Sequence, residues 1–161
     1  MKKIILDACC GGRMFWFNKK HPNALYIDRR VIPPEMVGKG KNARIFSVLP
    51  DIVMDFRNLK IKDSSYSLVV FDPPHISRTS GKKSYMARKY GTLEKETWES
   101  DLKQGFKECF RVLKNNGILI FKWCEVDIRL KEILKLTPYP PLFGHPSGKA
   151  SKTHWVTFIK L

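Results

Sequence analysis

Four short apolar runs, each stopped by an aspartate, constrain this chain more than any other feature. Residues 4–6 run into Asp7, 24–27 into Asp28, 52–54 into Asp55 and 68–71 into Asp72. Continuous apolar runs of this length, bounded by polar or turn residues, read as buried strands. Helical patterns lie before the second run and after the fourth. Short buried strands alternating with helices predict an α/β domain: a mainly parallel sheet covered on both faces. Ligands of such sheets bind beyond the carboxyl ends of the strands, where the strand order reverses. The four aspartates therefore mark one rim.

The remaining segments fill in this outline. Cys10-Gly11-Gly12 punctuates a turn after the first strand, and residues 14–17 read as a short helix before Pro22. Residues 29–44 hold two prolines and two glycines among many basic residues and read as a loop. Residues 94–113 carry Leu102, Phe106, Cys109, Phe110 and Leu113 at helical spacing, with acids early and Lys114 late, as the helix dipole favours. Asn115-Asn116-Gly117 stops that helix. Residues 118–123 read as a fifth strand, and 127–136 as a second amphipathic helix. Segments around Leu142-Phe143 and 155–159 pair as a terminal hairpin across a turn rich in Gly, Ser and Lys. No internal repeat or second domain is visible, so residues 1–161 read as one domain.

Charge narrows the function classes. Thirty Lys and Arg against fifteen Asp and Glu leave a net +15, beyond the range of about 2 to 8 that solubility alone requires. A small domain this basic attracts polyanions, nucleic acid foremost. Cys9, Cys10, Cys109 and Cys124 form no C-x-x-C pair, which disfavours structural zinc, and no metal is expected. The opening Met-Lys-Lys-Ile-Ile-Leu meets Asp7 at once and so lacks a signal-peptide core; no apolar run approaches the ~20 residues of a membrane span. A reducing cytoplasmic setting without membrane contact is the expectation.

Two constellations carry chemistry. In the first, Asp7-Ala8-Cys9-Cys10-Gly11-Gly12, glycine after a strand end lets the backbone approach a ligand closely. Asp28 stands about 20 residues on, at the next strand end, where an acid commonly grips a ribose hydroxyl pair. The G-x-G-x-x-G spacing of dinucleotide binders is absent, which disfavours NAD. In the second, Asp72-Pro73-Pro74-His75, a stiff turn follows a buried strand. Proline lacks an N–H, so carbonyl oxygens there can face a ligand without local competition.

Together these segments resemble class I methyltransferases that use S-adenosylmethionine. Ile5-Leu6-Asp7-Ala8-Cys9-Cys10-Gly11 is similar to the family's first motif, Asp-x-Gly-x-Gly, with Cys9 at the first glycine position. Tyr26-Ile27-Asp28-Arg29 is similar to the second, whose acid binds the ribose hydroxyls. Met54-Asp55-Phe56 is similar to the third, whose acid meets the adenine amino group and whose next residue packs on the ring. Asp72-Pro73-Pro74-His75 resembles the [Asp/Asn/Ser]-Pro-Pro-aromatic motif of amino-methyltransferases acting on bases, with His75 in place of the aromatic. Residues 111–117 are similar to the family's passage into strand five. The resemblance spans nearly the whole chain, and with the small size it extends to a phage- and prophage-type group. It implies a Rossmann-like fold with a C-terminal antiparallel hairpin strand. It also implies S-adenosylmethionine held by Asp7, Ala8, Cys9, Gly11, Asp28, Arg29, Asp55 and Phe56, with Asp72, Pro73, Pro74 and His75 as the catalytic turn.

The implied substrate is an exocyclic amino nitrogen of a base, adenine N6 ahead of cytosine N4 and guanine N2, in DNA or RNA. His75 either stacks on that base or closes the turn. Arg78, Lys82, Lys83, Tyr85, Arg88 and Lys89 interleave charge with aromatic surface, as a strand-binding loop does. Lys149 and Lys152 extend the positive surface. Lys122 and Trp123 end the fifth strand, where they can line the base pocket, although Trp123 also suits the core. The rival readings are a methyltransferase for a small molecule or protein side chain, and a non-catalytic nucleotide-binding module.

Overall fold

The computed structural model describes residues 3–38, 40–75, 89–147 and 149–161. Its strands, in chain order, are β1 (Ile5–Asp7), β2 (Ala24–Asp28), β3 (Ile32–Val37), β4 (Arg44–Val48), β5 (Ile52–Val53), β6 (Tyr66–Phe71), β7 (Leu113–Cys124), β8 (Phe143–Ser147) and β9 (Thr153–Ile159). Among the described residues, α-helices run over Trp98–Val112 (α1) and Leu130–Leu134 (α2). Seven strands form one sheet in the order β5-β2-β1-β6-β7-β9-β8. The first five of that order run parallel, and β9 runs antiparallel to both β7 and β8. The chain moves outward from β1 to β2 and β5, then returns to lay β6 on the other side of β1. The order therefore reverses between β1 and β6, and the crevice at their carboxyl ends is the expected ligand site.

Alternation sorts the sheet into two faces. Leu6, Val69, Phe71, Leu119, Phe121, Trp123 and Phe158 belong to the main core, together with Leu102, Phe106, Cys109 and Phe110 of α1 and Ile133 of α2. Helix α1 forms because these apolar residues recur along one side while Glu99 and Asp101 stand in its first turn and Arg111 in its last. Glu108 and Arg111 clamp α1 to the segment beneath it. Glu108 accepts from the Leu59 amide at 2.7 Å and from Arg111, and Arg111 also donates to the carbonyls of Leu59 and Ile61. Helix and sheet touch where Gly105 stands, since a Cβ there would meet Phe56 and Phe71 at 2.7 Å.

Several sequence expectations need correction. Residues 14–17 form no helix. Arg13 takes a positive φ of 53°, and the segment is held by Trp16, whose indole N–H donates to Asp7 at 2.7 Å. Residues 29–44 are not a loop: β3 and β4 pair as a separate two-stranded hairpin around Val37, Phe46 and Val48. The prolines are tolerated because the register shifts between Ile32 and Glu35, at a bulge where no ladder N–H is needed. The second helix shrinks to α2, and the fifth strand begins already at Leu113, its register with β6 broken between Tyr66 and Leu68. Among the described residues both helices pack on the main core, while the opposite face carries a small cluster of Cys10, Ala24 and Tyr26 with Ile5 and Trp16.

Candidate active site

A cavity of about 190 Å³ opens at the carboxyl ends of β1, β2 and β6. Its wall begins with the turn after β1, Ala8 to Gly12, where Gly11 adopts a φ of +46° that favours glycine. Asp28, the last residue of β2, bridges to that turn by accepting the Gly11 amide at 3.0 Å. Met54 and Phe56 follow β5 and add apolar surface; Asp72, Pro73, Pro74 and His75 follow β6 and form the opposite wall. Met14, Phe15, Arg29, Arg30, Lys89, Tyr90, Gly91 and Lys122 complete the lining.

The turn after β6 is well anchored. Pro73 and His75 are buried, and Asp72 keeps part of its surface open. The Lys122 ammonium, on β7, donates to Asp72 Oδ2 at 2.8 Å. Among the described residues no group donates to Oδ1. His75 packs between the rings of Tyr90, at 5.4 Å, and Trp123, at 6.3 Å. Burial lowers its pKa, more than the Asp72 charge raises it, so the imidazole is neutral at pH 7. Gly91 sits across from the turn; a Cβ there would come within 3.1 Å of Pro74.

The four strand-end acids do not share one role. Asp28 and Asp72 line the cleft. Asp7 is fully buried beneath it, bonded to Trp16 and to the Cys9 amide, and is not part of the lining. Burial pushes its carboxyl up to about 7, with the charges of Asp72 and Asp28 adding to the effect. Asp55 also lies outside the lining. Arg57 grips it through Nε, Nη2 and its own amide, at 2.6 to 3.0 Å. Burial favours the neutral acid there, yet these bonds outweigh it and hold the Asp55 carboxyl below the ordinary range.

Of the other sequence candidates, Ala8, Cys9, Gly11, Arg29, Phe56, Lys89 and Lys122 line the cleft. Trp123 does not: it is fully buried in the main core, its indole N–H bonded to the Ile128 carbonyl. Arg78, Lys82, Lys83, Tyr85 and Arg88 lie outside the described residues. The cleft also contains residues that no sequence pattern singled out, and Arg30 is the most consequential. Its Nε and Nη2 donate to Asp28 at 3.0 and 3.1 Å, and its amide donates at 2.9 Å. With the Gly11 amide, these bonds occupy both oxygens of the carboxylate. Phe15 is a second such residue, an aromatic in a segment read as a helix. Among the described residues, no cluster of His, Cys, Asp or Glu could hold a metal, and no helix is long and apolar enough to cross a membrane.

No protein-family model and no curated protein sequence matches the chain. Solved structures do. A protein from Pyrococcus horikoshii superposes with a TM-score of 0.64 at 14% identity, over 100% of this chain and 83% of its own. A SAM-dependent methyltransferase from Methanosarcina mazei gives 0.55 at 14% identity, over 100% and 94%. The 1,6-didemethyltoxoflavin-N1-methyltransferase of Burkholderia thailandensis, solved with its substrate and S-adenosylhomocysteine, gives 0.55 at 10% identity, over 99% and 72%. The fold of this chain is the Rossmann-like fold of the SAM-dependent methyltransferases among these structures.

Proposed function

We propose that this protein is an S-adenosylmethionine-dependent methyltransferase acting on an exocyclic amino nitrogen of a nucleic-acid base, adenine N6 first. One observation carries the reading: the Asp72-Pro73-Pro74-His75 turn lines the same cleft as the glycine turn after β1 and Asp28 at the end of β2. The lining fits an adenosyl group. Asp28 would offer its carboxylate to ribose hydroxyls as Arg30 withdraws, Met54 and Phe56 offer apolar surface for the adenine ring, and the turn at Ala8 to Gly11 admits close backbone approach. When bound, S-adenosylmethionine supplies an electrophilic methyl group on a sulfonium.

The rest of the work falls to the chain's own residues. An amino nitrogen on a base is a weak nucleophile, because its lone pair is delocalised into the ring. Asp72 Oδ1 and the Pro73 carbonyl would accept hydrogen bonds from its two N–H groups, which favours a pyramidal nitrogen and supports the positive charge that develops as the N–C bond forms, the S–C bond breaks and the neutral thioether leaves; the surplus proton is then lost to solvent. Lys122, bonded to Oδ2, fixes the carboxylate's orientation. The buried, neutral His75 braces the turn against Tyr90 and Trp123, which favours turn closure over direct stacking on the base. A duplex base must leave its stack to reach this turn. The net +15 and the cleft cations Arg29 and Lys89 support a polyanionic substrate over a small molecule.

The test incubates labelled methyl donor with single-stranded DNA, duplex DNA and RNA, then identifies the modified nucleoside. Label in an N-methylated base is the expected result. Asp72→Ala should lower transfer by about 10²–10³-fold, the usual cost of removing one such polar contact, while S-adenosylhomocysteine binding survives. Label in none of the nucleic acids, or full transfer by Asp72→Ala, would overturn the reading.

A further inference from the structure

The sheet face opposite the helices continues outward from the cleft across β7, β9 and β8. Register defines a row on it. Lys122 of β7 pairs with Trp155 of β9, and Trp155 pairs with His145 of β8. Directly opposed residues of a ladder project to the same face. Phe143, two positions before His145 on β8, shares that face; it is 64% exposed, and His145 is exposed. Phe15 of the cleft wall stands edge-on to Trp155, with ring centroids 5.4 Å apart at 86°. The Lys122 ammonium lies 5.7 Å from both ring centroids while it holds Asp72. Both helices contribute to the core on the other side of the sheet.

We propose that Phe15, Trp155, His145 and Phe143 form a stacking track for the nucleotides flanking the target base of a single-stranded nucleic acid. The proposal rests on the methyl-transfer reading above and adds where the strand runs. Three features point to this occupant. The track starts at the proposed catalytic turn, because Lys122 touches both. It places ring side chains at strand spacing, about 4.8 Å per step, so the row from Lys122 to His145 spans about 10 Å, on the scale of a few nucleotides. It also belongs to a chain of net charge +15, which complements a phosphate backbone. Aromatic platforms of this kind hold bases without reading their identity.

The experiment titrates labelled single-stranded DNA and RNA nonamers, with a mononucleotide as control, into wild type, Trp155→Ala, Trp155→Phe and His145→Ala. Trp155→Ala should weaken nonamer binding about tenfold or more. Trp155→Phe should restore most of it, and mononucleotide and S-adenosylhomocysteine binding should stay unchanged. Should Trp155→Ala fold poorly, photocrosslinking of the wild type gives an independent result, with adducts expected in 143–147 and 153–159. Wild-type affinity in both Trp155→Ala and His145→Ala, or crosslinks confined elsewhere, overturns the track while leaving methyl transfer standing. A wild type that methylates only small amines and binds neither nonamer overturns the methyl-transfer reading and the track together. A Trp155-dependent dimer without nucleic acid would assign the face to a second copy and overturn the track.

Discussion

Asp7 and Asp28 end neighbouring strands, yet their surroundings give them opposite tasks. Asp7 is buried with two hydrogen-bond partners and a carboxyl raised to about 7. A raised acid binds a proton in the folded state that it has lost in the unfolded state, so its contribution weakens the fold as pH climbs from about 4 to about 7. Asp7→Asn removes that slope and keeps an acceptor for Trp16. Relative to wild type, the variant should gain stability across this window, by up to about 4 kcal/mol, read from urea midpoints at each pH. A constant difference between the two proteins would show that Asp7 stays ionised throughout. Asp28, in contrast, meets the cleft, but Arg30 already fills its acceptor positions. Ribose hydroxyls can reach this carboxylate only as Arg30 withdraws. Arg30→Met should therefore tighten S-adenosylhomocysteine binding several-fold, while Asp28→Ala weakens it by about 10–100-fold, the loss of bonds to a charged group. Calorimetry decides: weaker binding by Arg30→Met would make Arg30 part of the bound site.

Helix α1, Phe56 after β5 and Phe71 at the end of β6 meet closely at Gly105. Alanine would gain roughly 0.5–1 kcal/mol of helix propensity there. Its Cβ, however, would meet the rings of Phe56 and Phe71 at 2.7 Å, inside any van der Waals contact. Both rings are buried and packed edge to face with each other, leaving little room to yield. Overpacking of this kind costs about 1–3 kcal/mol, so Gly105→Ala should lower the thermal midpoint. Because Phe56 also lines the cleft, the same variant should weaken S-adenosylhomocysteine binding. A more stable Gly105→Ala would mean that α1 shifts outward freely. The β3–β4 hairpin is the element that sequence reading missed. Its Pro33-Pro34 pair signals a break, and only the pairing partner Arg44–Val48 turns the break into a bulge.

Among the described residues, α1 and α2 pack on one face of the sheet, and the cleft opens along the rim at the carboxyl ends of its parallel strands. The chain's excess of positive charge acts at the scale of the whole molecule, as a field summed over many side chains. Binding to single-stranded nucleic acid should therefore fall steeply with salt, by at least about tenfold between 50 and 200 mM, as phosphate neutralisation requires. Titration at several salt concentrations measures the slope, and a slope near zero would remove the polyanion from the account.

The parallel strands, the position of the crevice and the diproline turn were legible in the linear chain. Strand burial and turn stiffness follow from neighbouring residues alone: apolar runs stopped by aspartate, and prolines that fix their own φ. Other features depended on which side chains meet in space. Trp16 reaching Asp7, Arg57 holding Asp55, Arg30 capping Asp28 and Lys122 holding Asp72 are all side-chain contacts. No periodicity encodes which partner an arginine or an indole will choose. Even Arg30 and Arg57, each two residues from its acid, show identical spacing but opposite consequences, because one acid lines the cleft and the other does not. The tertiary structure made that choice through the space each side chain was left.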